Sequence, residues 1–155
     1  MLCDNIHDFS SQLAAKTRLL GLDVGEKTIG LALSDAGRMI ASPLETLSRI
    51  SFKKDSAALK ALVDKHKIGG LVIGYPLNMD ATIGPRAQST KQFAKNLEPL
   101  LKIPMLLWDE RLSTMAVTRT MLEADLSRSR QAEVVDKMAA SYILQGALDM
   151  MGKQA

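Results

Sequence analysis

Arg18-Leu19-Leu20-Gly21-Leu22-Asp23-Val24-Gly25 reads as a buried β-strand with a carboxylate set inside it. Strands disfavour Asp, and an ionised carboxylate among apolar side chains costs several kcal/mol unless a positive charge compensates it. A bound cation is the simplest compensation. The fold and the chemistry therefore meet at Asp23: what matters is where its strand lies and which other carboxylates reach it.

Working outward, a second strand at Thr28–Ser34 follows through Gly25-Glu26-Lys27, a short glycine-containing hairpin connection. A third strand over residues 39–47 follows the Asp35-Ala36-Gly37 turn, and Pro43 inside it suits an edge strand or a bulge. The rhythm then changes. Ala58, Leu59, Leu62 and Val63 share one helix face within 55–66. Residues 70–75 form a short, continuously apolar strand of the kind buried on both sides in parallel sheets. Pro85 opens a helix to about residue 100, residues 103–108 form another buried strand, Ser113 caps a helix over 113–123, and a last helix covers 133–151.

The pattern βββαβαβαα, with short connections and right-handed crossovers, predicts an α/β fold: a five-stranded mixed sheet with helices on both faces. The strand carrying Asp23 lies centrally, and the C-terminal ends of the first, fourth and fifth strands open onto one edge. Residues 18–151 make this domain. Residues 1–17 read as an N-terminal appendage, partly mobile, with a short helix around 9–16.

Composition fits this reading. The chain has 155 residues, 46% of them hydrophobic and 24% charged, which suits one ordinary globular domain. No stretch approaches the roughly 18 to 20 apolar residues that span a bilayer, and the first 17 residues carry Asp4 and Asp8 and no long apolar run. Neither membrane insertion nor export is expected. The lone Cys3 cannot form an internal disulfide, so a reducing cytoplasm is the expected compartment and the thiol a bystander in a mobile end. A net charge of +3 permits nucleic-acid binding without demanding it.

Two further acids fall where the layout returns to Asp23. Glu110 directly follows the last strand, in Trp108-Asp109-Glu110-Arg111, although Asp109 could take its place on spacing alone. Asp136 lies in the first turns of the last helix, beside an apolar face that must meet the sheet. Oxygen donors converging from separate elements suit hard cations, Mg²⁺ or Mn²⁺. Two such ions, roughly 4 Å apart, would activate a water and stabilise the leaving oxygen of a phosphodiester. The loop from Tyr75 to Arg86 leads to a helix N-terminus able to receive a phosphate, and Arg86 could add a bidentate contact.

Four ordered blocks carry a family resemblance: Leu20-Gly21-Leu22-Asp23-Val24-Gly25 continuing to Gly30; Gly74-Tyr75-Pro76-Leu77-Asn78-Met79-Asp80 with Gly84-Pro85; Asp109-Glu110-Arg111-Leu112-Ser113-Thr114; and Val135-Asp136-Lys137-Met138-Ala139-Ala140. Over residues 18–150 the chain resembles the YqgF family, also called RuvX, of RNase H-like nucleases. The resemblance implies an RNase H-like fold, with Asp23, Glu110 and Asp136 as catalytic acids and metal ligands. It also implies a cytoplasmic hydrolase acting on the 5′ end of the 16S ribosomal RNA precursor, with ribosomal particles as possible partners. Ala81 stands where the family commonly has glycine, and the segment before Asp136 is less basic than usual.

Lys27, Asn78, Arg86, Arg111, Arg128 and Arg130 are the candidates for nucleic-acid contacts. Three other readings use the same residues. A Holliday-junction resolvase would apply the acids to branched DNA as a dimer. A non-catalytic nucleic-acid-binding module would have no reason to keep Asp23 ionised in its core. An actin-like or sugar-kinase ATPase needs two such domains, and the length supplies one.

Overall fold

The computed structural model describes residues 2–3, 5–78, 80–110 and 128–153, with side chains of the last helix described from Lys137 to Gly152. Its elements are β1 (Leu2–Cys3), α1 (Ile6–Ser11), β2 (Arg18–Val24), β3 (Thr28–Ser34), β4 (Ala41–Ser48), α2 (Phe52–His66), β5 (Ile68–Tyr75), α3 (Pro85–Leu101), β6 (Met105–Asp109) and α4 (Arg128–Lys153). The helix expected over 113–123 lies outside the described residues.

The strands form one mixed sheet in the order β1-β6-β5-β2-β3-β4. β2, β5 and β6 run parallel, while β3 is antiparallel to both β2 and β4. β2 is central and buried from Leu19 onward, and every residue of β5 is buried. Pro43 sits on the edge strand, beside a register shift between Leu31 and Ala32, so the edge and the bulge expected from it coincide.

The sheet has six strands rather than five. Leu2 and Cys3 pair in parallel with Met105 and Leu106. Two residues carry no readable periodicity, so the sequence held no signal for this strand. The helix expected around 9–16 lies at Ile6–Ser11, where the Asn5 side chain accepts the N–H groups of His7 and Asp8 at 2.7 and 3.3 Å. Phe9 is fully buried and lies against Gly70, where an added Cβ would come within 2.9 Å of its ring. Cys3 is buried in the same cluster.

Alternation along the strands sorts side chains into two cores. Leu20, Leu22 and Val24 join Leu59 and Val63 of α2 and Phe93, Ala94 and Leu97 of α3. Leu19, Ala32, Val72, Leu106 and Trp108 meet Phe9 of α1 and Ala140, Ile143, Leu144 and Ala147 of α4. A fully buried aliphatic side chain is worth about 1.5–3 kcal/mol, so both helical layers are firmly seated. Helix α2 is capped by Ser51, which accepts the N–H of Lys54 at 3.2 Å, and ends on Lys67 in the left-handed conformation.

Candidate active site at the rim of the sheet

Asp23 is 3% exposed, one residue from the C-terminal end of β2. It alternates with Leu20 and Leu22, which face α2 and α3, so its carboxylate lies on the α4 side. Its cross-strand partner on β3 is Gly30. Leu22 pairs with Ile73 on β5, which sets Gly74 at the next step beside Asp23. Glycines on both neighbouring strands put no side chain of their own beside the carboxylate.

Glu110 comes from the other side of Gly74. Gly74 pairs with Trp108, and a Cβ built on Gly74 would lie 2.5 Å from Glu110 Oε1 and 2.5 Å from Ile143 Cδ1. Asp23 and Glu110 therefore border the same glycine. Strand parity separates Glu110 from its neighbour: Leu106 and Trp108 pack on the α4 side and Met105 and Leu107 on the other, which assigns Asp109 away from Asp23.

The backbone of α4 includes position 136; its side chain lies outside the described residues. Asp136 is one turn before Ala140 and two before Leu144. Those two residues press on the same strand as Asp23: a Cβ on Gly21 would meet Leu144 Cβ at 2.8 Å and the Ala140 carbonyl at 2.9 Å. Among the described residues no group of three acidic, histidine or cysteine side chains gathers. The hard oxygen donors of Asp23 and Glu110, which the missing side chain at Gly74 lets approach one another, fit a divalent cation.

The predicted nucleic-acid contacts are distributed unevenly. Lys27 is exposed in the hairpin turn and Arg86 is exposed in the first turn of α3. Asn78 has a job within its loop: its side-chain amide donates to Thr82 Oγ1 at 2.9 Å and its backbone N–H to the Thr82 carbonyl at 3.0 Å. That loop delivers Gly84 as the N-cap of α3, with no side-chain cap on the helix. Arg111 lies outside the described residues, and Arg128 and Arg130 are placed in α4 by backbone alone.

Arg49 was not singled out by sequence reading. β4 runs parallel to β2 across the intervening β3, so the residue after β4 returns to the rim where β2 ends, and that signal was available. Arg49 donates its N–H to the Lys27 carbonyl at 2.8 Å and its Nη1 to the Gly25 carbonyl at 2.7 Å. Its guanidinium also lies 5.1 Å from the centre of the Phe93 ring.

A carboxylate at the far end of the sheet shows the contrast with Asp23. Asp35 accepts the backbone N–H groups of Ile40 and Met39, and these hold its pKa below the usual carboxylate value. Its turn accounts for it.

These features define an RNase H-like α/β domain with acids at the C-terminal rim of the parallel strands. The RuvX family pattern, described as Holliday junction resolvase, matches residues 17–150, and the chain belongs to that family. A relative from Paramagnetospirillum magneticum is 60% identical over 139 residues, covering 90% of each chain; one from Zymomonas mobilis is 60% identical over 141 residues, covering 91% of this chain and 86% of the relative. Both are provisionally named pre-16S rRNA nucleases. Thermus thermophilus RuvC, solved in complex with a Holliday junction substrate, superposes with a TM-score of 0.56 at 11% identity, over 88% of this chain and 96% of RuvC. The yeast mitochondrial Holliday junction resolvase Ydc2 superposes with a TM-score of 0.50 at 13% identity, over 94% and 83%. At these identities the likeness shows the fold. Among the described residues no helix is long and apolar enough to cross a membrane.

Proposed function

We propose that the protein is a metal-dependent nuclease that hydrolyses phosphodiester bonds of a ribosomal RNA precursor, at the 5′ end of 16S RNA, in the cytoplasm. The observation that carries this reading is Asp23, a buried strand carboxylate that shares Gly74 with Glu110 at the rim. The names of the relatives support the RNA substrate.

Asp23, Glu110 and Asp136 would hold Mg²⁺ or Mn²⁺, with Asp23 supplied by the central strand, Glu110 by the end of β6 and Asp136 by α4. Cations held there supply Lewis acidity toward the phosphodiester and its leaving oxygen. The protein's own part is positioning. Asp23 is fixed by a central strand, Glu110 by its seat over Gly74, and Asp136 by the docking of α4. Lys27, Arg86, Arg111, Arg128 and Arg130 would neutralise backbone phosphates, and Asn78 would shape the loop that presents Arg86.

A second reading, cleavage of four-way DNA junctions, is favoured by the description of the family. It uses the same acids.

Asp23→Asn tests both. The loss of a ligand should exceed the roughly 10–100-fold cost of losing an outer-shell partner, so Mn²⁺-dependent cleavage should fall more than about 100-fold. Melting in EDTA should hold or rise, because a buried charge is gone, and the Mn²⁺-dependent rise in Tm should disappear. A folded variant that cuts like the parent rejects the role of Asp23. Parallel assays on precursor RNA and on a four-way junction decide the substrate.

A further inference from the structure

The rim has a second side. Val24 faces away from Asp23, toward α2 and α3, and there a cavity of about 320 Å³ opens between the hairpin turn and α3. Arg49 and Arg86 both line it, with Ser89 beside them. Arg49 is held in place by the Gly25 carbonyl and the Phe93 face, and Phe93 is itself braced edge-on by Phe52 at 5.8 Å. One guanidinium nitrogen is used on Gly25, which leaves the rest of the fork to donate elsewhere. No carboxylate among the described residues pairs with the Arg86 guanidinium. Glu26 also borders the cavity, so the two arginines leave one positive charge in excess.

A fixed arginine and a free one facing a common space suit a tetrahedral oxyanion. Gly25, which lines the cavity, lies two residue steps beyond Asp23, an advance of about 7 Å. We infer that the Arg49–Arg86 cavity holds a phosphate of the bound nucleic acid close along the strand from the one placed at Asp23 and Glu110, so that the strand crosses the rim from the acidic side to the basic side. The inference rests on the nucleic-acid reading above, but not on cleavage. The phosphate is either an internal diester or a terminal 5′-monoester.

The test measures binding of a labelled single-stranded RNA decamer in EDTA, by anisotropy across a salt series. Arg86→Ala, on an exposed side chain, should weaken binding roughly tenfold and lower the slope of log affinity against log salt by about 0.7, the value of one single-strand phosphate. Glu26→Gln, in the exposed turn, should strengthen it several-fold. A decamer with a 5′-phosphate that binds the parent better than its 5′-hydroxyl twin, with the preference lost in Arg86→Ala, assigns the terminal monoester. Equal binding of the twins, with both variant effects intact, assigns the internal diester. Unchanged affinity and salt slope in both variants overturn the inference. Because nothing is cut in EDTA, that failure is separate from an Asp23→Asn variant that still cleaves.

Discussion

The two faces of the central strand are built on opposite principles. Toward α2 and α3, β2 presents Leu20, Leu22 and Val24; toward α4 it presents Leu19, Gly21 and Asp23. One face is filled with aliphatic volume. The other gives volume up at Gly21 and at neighbouring Gly74, which brings a helix close to the sheet and seats the Glu110 carboxylate at the rim. The difference separates stability from chemistry within a single strand: neighbours in sequence serve different layers.

The largest stability effect should therefore come from the filled face. Leu22 is fully buried, and Leu22→Ala should cost about 2–5 kcal/mol in a urea melt. The Mn²⁺-dependent rise in Tm should survive, since Asp23 lies across the sheet. A loss of that rise in a folded Leu22→Ala protein would break the division between the faces.

The glycines come next, and they differ from each other. A Cβ at Gly21 meets Leu144 Cβ and the Ala140 carbonyl, which can move only with the helix, so Gly21→Ala should push α4 outward at about 1–3 kcal/mol. At Gly74 the intruding Cβ meets the ends of two side chains, Glu110 Oε1 and Ile143 Cδ1, which can swing away. Gly74→Ala should melt within about 1 kcal/mol of the parent while its cleavage falls well below that of a surface control. Equal losses of stability and activity in both variants would erase the distinction between a glycine that seats the helix and one that seats a carboxylate.

Much of this was legible in the sequence because periodicity and chemistry agreed. The hairpin of β2 and β3, the all-buried β5, the central position of Asp23's strand and the approach of Glu110 to the same rim followed from patterns of two and 3.6 residues. Three features were not. β1 is two residues long, too short for any pattern, and is a strand only because β6 offers it an open edge. The choice between Asp109 and Glu110 depended on strand parity at a strand end, where boundaries read from sequence are least secure. Arg49 went unread although the hairpin order already returned the end of β4 to the rim, because a lone arginine after a strand carries no motif. The position of Asp136 relative to the rim rests on helical spacing from Ala140.

The smallest effect concerns the loop that leads from the acidic side of the rim to the basic one. It leaves Gly74 and Tyr75 and enters α3 at Pro85, and Ala81 within it has φ 72°, the left-handed region that a Cβ disfavours by about 1–2 kcal/mol. The conformation is held by neighbours: the Ala81 N–H donates to the Asn78 carbonyl at 2.8 Å, and Thr82 donates its N–H and hydroxyl to Asp80 Oδ1 at 3.1 and 2.6 Å. Glycine at 81 would relieve the steric cost but return about 0.4–1 kcal/mol of freedom to the unfolded chain. Ala81→Gly should therefore raise stability by about 1 kcal/mol or less. Ala81 itself belongs neither to the acidic pair nor to the lining of the Arg49–Arg86 cavity, so cleavage and RNA affinity should stay within about twofold of the parent. A large fall in affinity at unchanged stability would instead make Ala81 part of the strand's path, and the boundary between the two sides would have to move into this loop.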